Sequence, residues 1–203
     1  MKMIAVVCEK GGTGKSMVSY ELYLSYIRQG IPTSFYAMDG QYQKTNKTKV
    51  VDDAEVAVVD TPGGLMQNIE KIIENADVIV VPTRPVGGDM EPLQRTVKLV
   101  RGLTDVPMVI VVNGMNRFKL AMSFMQWING QTWAEHVVTI PQSEAIAQAI
   151  TAQCSVFDIE RKFGVASVAI SNLCREVSAR AGLPHEVVQP KKPSKVLCDG
   201  KSK

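Results

Sequence analysis

The N-terminal stretch up to Met17 constrains the fold of this chain more than any other part. Met3 to Cys8, MIAVVC, is a short unbroken apolar run, the pattern of a strand buried on both faces of a parallel sheet. EKGGTGKS follows. The next segment, KSMVSYELYLSYIRQG, has Val18, Leu22 and Tyr26 at helical spacing and stops at Arg28 and Gly30, which reads as a helix with a C-terminal glycine. Strand, glycine loop and helix together form a setting in which backbone N–H groups turn on an oxyanion and the helix start adds partial positive charge. A loop of this kind is expected over Gly11, Gly12, Thr13, Gly14, Lys15, Ser16 and Met17. Lys15 would reach β- and γ-phosphates and the Ser16 hydroxyl would bind Mg²⁺.

The rest of the chain alternates strand and helix. Strands are expected at Thr33–Met38, Glu55–Asp60, Asp77–Pro82, Pro107–Asn113 and His136–Pro141. Helices are expected at Leu65–Asn75, from about Asp89, and at Arg117–Ile128, Ser143–Ala152 and Val165–Ala181. This order predicts an α/β domain of P-loop type, with a doubly wound, mostly parallel sheet and helices on both faces. At 203 residues the chain suits one such domain, expected over residues 1–182. Residues 183–203, rich in Pro, Lys and Ser, read as a basic, disordered tail. From Pro184 onward five lysines face Glu186 and Asp199, so this stretch carries the whole net charge of +3 and the remainder is neutral. The four cysteines (Cys8, Cys154, Cys174, Cys198) form no C-x-x-C pair. This argues against zinc, an iron–sulfur cluster or a disulfide framework, and suits a reducing cytoplasm.

VAVVDTPGG supplies the second motif. Its strand ends in Asp60, which places a carboxylate at the sheet edge beside the loop, a Walker B aspartate in character. In YAMDGQ, Asp39 is the candidate for positioning the attacking water and joins Ser16 and Asp60 as a candidate around the metal.

The phosphate loop departs from G-x-x-x-x-G-K-[ST]: Glu9 stands where glycine is expected, and the chain reads K-G-G-T-G-K-S from Lys10. In this form it resembles the deviant Walker A loop of the ParA/MinD superfamily, most closely the small ParA-type partition ATPases. The resemblance implies that two subunits sandwich two ATP molecules, with Lys10 reaching the partner's nucleotide. Catalytic roles then fall to Lys10, Lys15 and Asp39. Thr61–Gly64 resembles switch II of that family. VPTRPVGGD resembles its P-x-x-P segment, and IPQSEAIAQAITAQCSVFDIE its late I-P-x-S stretch. By the same resemblance Asn113 and Pro141 are candidates at the adenine. Ala37 and Gly40 depart from the family's D-x-D-P-Q. About twenty residues separate Asp39 from Asp60, fewer than in relatives but enough for a parallel crossover, which needs about a dozen.

The implied cycle is ATP- and Mg²⁺-dependent homodimerisation, binding to nonspecific DNA, and slow hydrolysis stimulated by a centromere- or cargo-binding adaptor. Its expected location is the cytoplasm, on the nucleoid. Candidate DNA contacts are Arg95, Lys98, Arg101, Arg161, Lys162 and Arg175, with Arg117, Lys119, Arg180, the tail lysines and the basic QYQKTNKTK segment as further options. The tail is interrupted by prolines and lacks a basic amphipathic face, so membrane binding is not expected. A conjugative-transfer accessory ATPase of the same fold and a metabolic ATP-dependent ligase are the alternatives.

Overall fold

The computed structural model describes residues 1–38, 47–64, 69–160 and 163–184. Its six strands are β1 (Lys2–Val6), β2 (Thr33–Ala37), β3 (Val56–Asp60), β4 (Val78–Thr83), β5 (Met108–Met115) and β6 (Val137–Pro141). They form one sheet in the order β2-β3-β1-β4-β5-β6, and every neighbouring pair is parallel. The apolar runs are strands because both of their faces are covered, and the alternating side chains sort accordingly. Ile4, Val6, Val58, Val80 and Val111 enter one core with α1 (Lys15–Arg28), α5 (Glu144–Ala152), α6 (Val156–Ile159) and α7 (Val165–Ala181). Ala5, Val7, Ile79, Val81, Ile110 and Val112 enter the other, with α2 (Ile69–Asn75), α3 (Met90–Leu103) and α4 (Lys119–Asn129). Burial of one such aliphatic or aromatic side chain contributes about 1.5–3 kcal/mol.

The expected elements appear at nearly the expected bounds. A single 3-10 turn, Gly87–Asp89, precedes α3, and the four-residue α6 was not expected. The first residues of the expected Leu65–Asn75 helix lie outside the described residues. The short β2–β3 connection does permit parallel pairing: Thr33 registers with Val56 and Ala37 with Asp60. Its returning limb covers the outer edge of β2, where Phe35 and Lys49 exchange two backbone hydrogen bonds of 2.8 Å. Lys49, offered above as part of a basic DNA-contacting segment, lies instead over the rings of Tyr20 and Tyr23 at 5.5 and 5.1 Å. Burial lowers its pKa.

Candidate nucleotide site

The strand order reverses about β1, with β3 on one side and β4 on the other. In an open α/β sheet such a reversal leaves a crevice at the strands' C-terminal ends, and the glycine loop leaves β1 there. Gly12 and Gly14 take φ of 74° and 99°, a left-handed region that a side chain rarely occupies. Gly14 has a second constraint: a Cβ there would lie 2.2 Å from Nδ2 of Asn113. The loop turns directly into α1, a 14-residue helix whose first N–H groups have no partner within the helix.

Lys15 is 6% exposed, and its Nζ donates to the Lys10 carbonyl at 3.1 Å. That bond folds the side chain back over the loop, as a phosphate-directed lysine requires. Asp60, the last residue of β3, is fully buried and registers with Val6 of β1 and Ala37 of β2. Beyond it, Thr61 Oγ1 donates to the Val6 carbonyl at 2.7 Å, and the Gly64 N–H donates to the Glu9 carbonyl at 2.8 Å. Gly63 lies against the loop, where a Cβ would be in contact with Gly11 Cα at 3.5 Å and Lys15 Nζ at 3.6 Å. The Thr61–Gly64 turn is therefore hydrogen-bonded and packed against the phosphate loop.

A cavity of about 660 Å³ opens from these residues. It is walled by Gly11, Gly12, Gly14 and Lys15 on one side and by Met17, Tyr20, Glu21, Ile150 and Gln153 on the other. Among the described residues no group of three His, Cys, Asp or Glu side chains could hold a metal by itself. The oxygen donors Ser16 and Asp60 fit Mg²⁺ instead, since that ion is commonly held by one or two protein oxygens with water and substrate phosphates.

Sequence reasoning missed the far wall. Glu21 is 4% exposed. Its carboxylate accepts the Ser155 hydroxyl and the Val156 N–H, both at 2.8 Å. Burial pushes its pKa up to about 7, against the pull of those two bonds and of Arg28. One helical stretch further along, Arg28 pairs with Asp158, and both side chains are buried. Two charged residues of the phosphate-loop helix thus anchor the α5–α6 segment that closes the cavity. A glutamate among the helix's inward positions was the available signal.

Several expected residues sit differently from a simple reading. Lys10 donates to the Gly88 carbonyl at 2.9 Å and pairs with the carboxylate of Asp89 in the same chain. Asn113 Nδ2 donates to the Thr13 carbonyl at 3.0 Å; it braces the loop, and neither it nor Pro141 is among the cavity's described walls. Asp39, Arg161 and Lys162 lie outside the described residues, as does the tail from residue 185.

The DNA candidates do not form one patch. Arg95, Lys98 and Arg101 belong to α3, whereas Arg175 belongs to α7, and these helices pack on opposite faces of the sheet. Arg95 is also engaged, donating to Glu9 at 2.8 Å and to Glu91 at 2.5 Å. Arg101 donates to the Val106 carbonyl at 2.8 Å, and Arg180 contacts Glu176 and His136. Lys98 and Arg175 are exposed.

Comparison with solved structures shows the same fold in other proteins. A Cyanothece McdA variant in complex with ATP superposes with a TM-score of 0.74 at 13% identity, covering 92% of this chain and 98% of that one. MinD from Pyrococcus horikoshii in complex with Mg-ADP gives 0.67 at 14%, covering 89% and 97%. A plasmid partition protein from Borrelia burgdorferi gives 0.58 at 13%, covering 72% and 93%. No protein-family model and no curated sequence matches the chain. At these identities the likeness is one of fold, the parallel α/β sheet flanked by helices that the alternation of strands and helices led us to expect. No helix among the described residues is long and apolar enough to cross a membrane.

Proposed function

We propose that this chain is an ATP-driven switch of the partition type, its ATPase domain spanning residues 1–182. The observation that carries the reading is the docking of the Thr61–Gly64 turn on the glycine loop through the Gly64–Glu9 hydrogen bond, beside a buried Lys15. A γ-phosphate placed between them would touch both, so its presence or loss would alter the turn's position. Lys15 and the loop N–H groups hold the phosphates, Ser16 and Asp60 hold Mg²⁺, and Asp39 orients the attacking water. Bound Mg²⁺ supplies charge neutralisation at the β- and γ-oxygens. Lys10 adds its charge to the partner's nucleotide in a sandwich dimer. Asn113 braces the loop through the Thr13 carbonyl, and the resemblance assigns it and Pro141, the last residue of β6, to the adenine. The known structures of this fold in ATP and Mg-ADP complexes support the nucleotide and metal assignment.

In this reading the ATP dimer binds nonspecific DNA through one of its two basic helix faces, Lys98 on α3 or Arg175 on α7, together with the lysines of the 183–203 tail. Pairing two subunits doubles these contacts, and a cargo-binding adaptor stimulates hydrolysis and release. The deciding experiment is binding to a random-sequence duplex with ATP–Mg²⁺, ADP or no nucleotide, for wild type and Lys10→Ala. The expected result is binding with ATP–Mg²⁺ only, lost in the variant. Absence of DNA binding in every state would refute the DNA part of the reading.

A further inference from the structure

We propose that Asp89 is a positioning residue for Lys10, holding the lysine within its own subunit until a partner's nucleotide takes it over. This rests on the preceding reading of Lys10 as a residue that acts across a dimer. The holding site is built from three sides. Asp89 is 2% exposed; one oxygen pairs with Lys10 Nζ and the other accepts the Arg84 N–H at 3.1 Å. The Gly88 carbonyl accepts the same ammonium at 2.9 Å. The lysine side chain itself is 40% exposed, so it can leave without unpacking a core.

A buried carboxylate that loses its cation is left poorly solvated, and breaking one side of such a pair is costly. Departure of Lys10 leaves Asp89 with the Arg84 N–H. The monomer is thus favoured until the lysine meets a stronger anion, and a terminal phosphate with its greater charge qualifies where a second carboxylate would not. ADP lacks that phosphate, so the lysine returns to Asp89 after hydrolysis. Because Asp89 lies in the turn that leads into α3, the hand-over also changes the charge at the start of that helix. Glu9, the residue before Lys10, is tied to the same helix through Arg95.

The substitution Asp89→Asn keeps the shape and an acceptor for the Arg84 N–H but removes the charge. Two readouts test it. First, nucleotide-free protein is treated with limiting N-hydroxysuccinimidyl acetate and the acetylation rate of Lys10 is followed by mass spectrometry, with Lys98 as internal reference. The expected result is about a tenfold rise for D89N, the scale of one charged hydrogen bond; equal rates would overturn the pairing. Second, sedimentation with ATP–Mg²⁺ measures the dimer midpoint. D89N is expected to dimerise at about tenfold lower protein concentration or less, and K10A/D89N no better than K10A. Unchanged or weaker dimerisation of D89N overturns the holding role, and a misfolded variant could not produce the expected gain. If neither protein dimerises with ATP while Lys10 reactivity still rises, the cis pairing stands. The dimer reading then falls, and the hand-over with it.

Discussion

Replacing Glu21 with glutamine should stabilise the protein by an amount that grows as pH rises above about 4.5 and is complete near pH 7. Glu21 is a carboxyl buried on the phosphate-loop helix, with its pKa raised from 4.5 to about 7. Between those two values the native state holds a proton that the unfolded chain has released, so stability falls as pH rises through this window. At about 1.36 kcal/mol per unit, the shift amounts to ~3 kcal/mol of stability present at pH 4 and missing at pH 8. Glutamine imitates the protonated acid: its carbonyl can accept the Val156 N–H and its amide can donate to Ser155 Oγ. Glu21→Gln should therefore match wild type near pH 4 and exceed it by ~3 kcal/mol at pH 8, raising Tm by roughly 6–12 °C for a chain of this size. Urea denaturation of both proteins at half-unit steps from pH 4 to 8 provides the assay. Two curves that run parallel across the range would refute the argument, because the titrating group would then lie elsewhere. A deficit of the variant that grows as pH rises would show that the charged form is the one the fold prefers.

Two further outcomes bear on the loop itself. Lys15→Ala should remove measurable ATP binding in calorimetry while leaving the fold intact by circular dichroism; unchanged affinity would refute the phosphate-loop assignment. Gly14→Ala combines left-handed strain of about 1–2 kcal/mol with a Cβ placed against the Asn113 amide. It should weaken ATP binding about tenfold or more, and Asn113→Ala in the same chain should recover part of that loss. Purely additive losses would show that the two side chains do not compete for the space.

The sheet was legible because its strands are covered on both faces. MIAVVC, VAVVD, DVIVVP and PMVIVVN are apolar at consecutive positions, and both parities proved to be core. The phosphate loop was legible because its conformational demands fall on glycines close together in sequence. The tertiary pairs were not legible. Glu21 meets Ser155 and Val156, Lys10 meets Asp89, and Arg28 meets Asp158, and each pair is brought together by the fold across a long stretch of chain. A lysine at a loop mouth looks the same in sequence whether it awaits a partner or is already held. The DNA candidates failed to converge for a related reason: charge on a helix face reveals exposure, but not which side of the sheet the helix covers. Turns as short as Gly87–Asp89 and Val156–Ile159 carry too few residues for any periodicity to register.

The paired charges at the loop mouth also bear on how anions approach. Glu9 and Lys10 are each matched to a partner on the segment that follows β4, the first by Arg95 and the second by Asp89. An incoming nucleotide therefore meets a mouth with little net field, and its capture depends on Lys15 and oriented N–H groups at contact range, where mobile ions screen weakly. A duplex held by surface lysines would be governed by counterion release and would dissociate steeply as salt rises. Ionic strength alone should thus separate the two binding events, leaving a salt-loaded protein still charged with nucleotide after its hold on any polyanion has been lost.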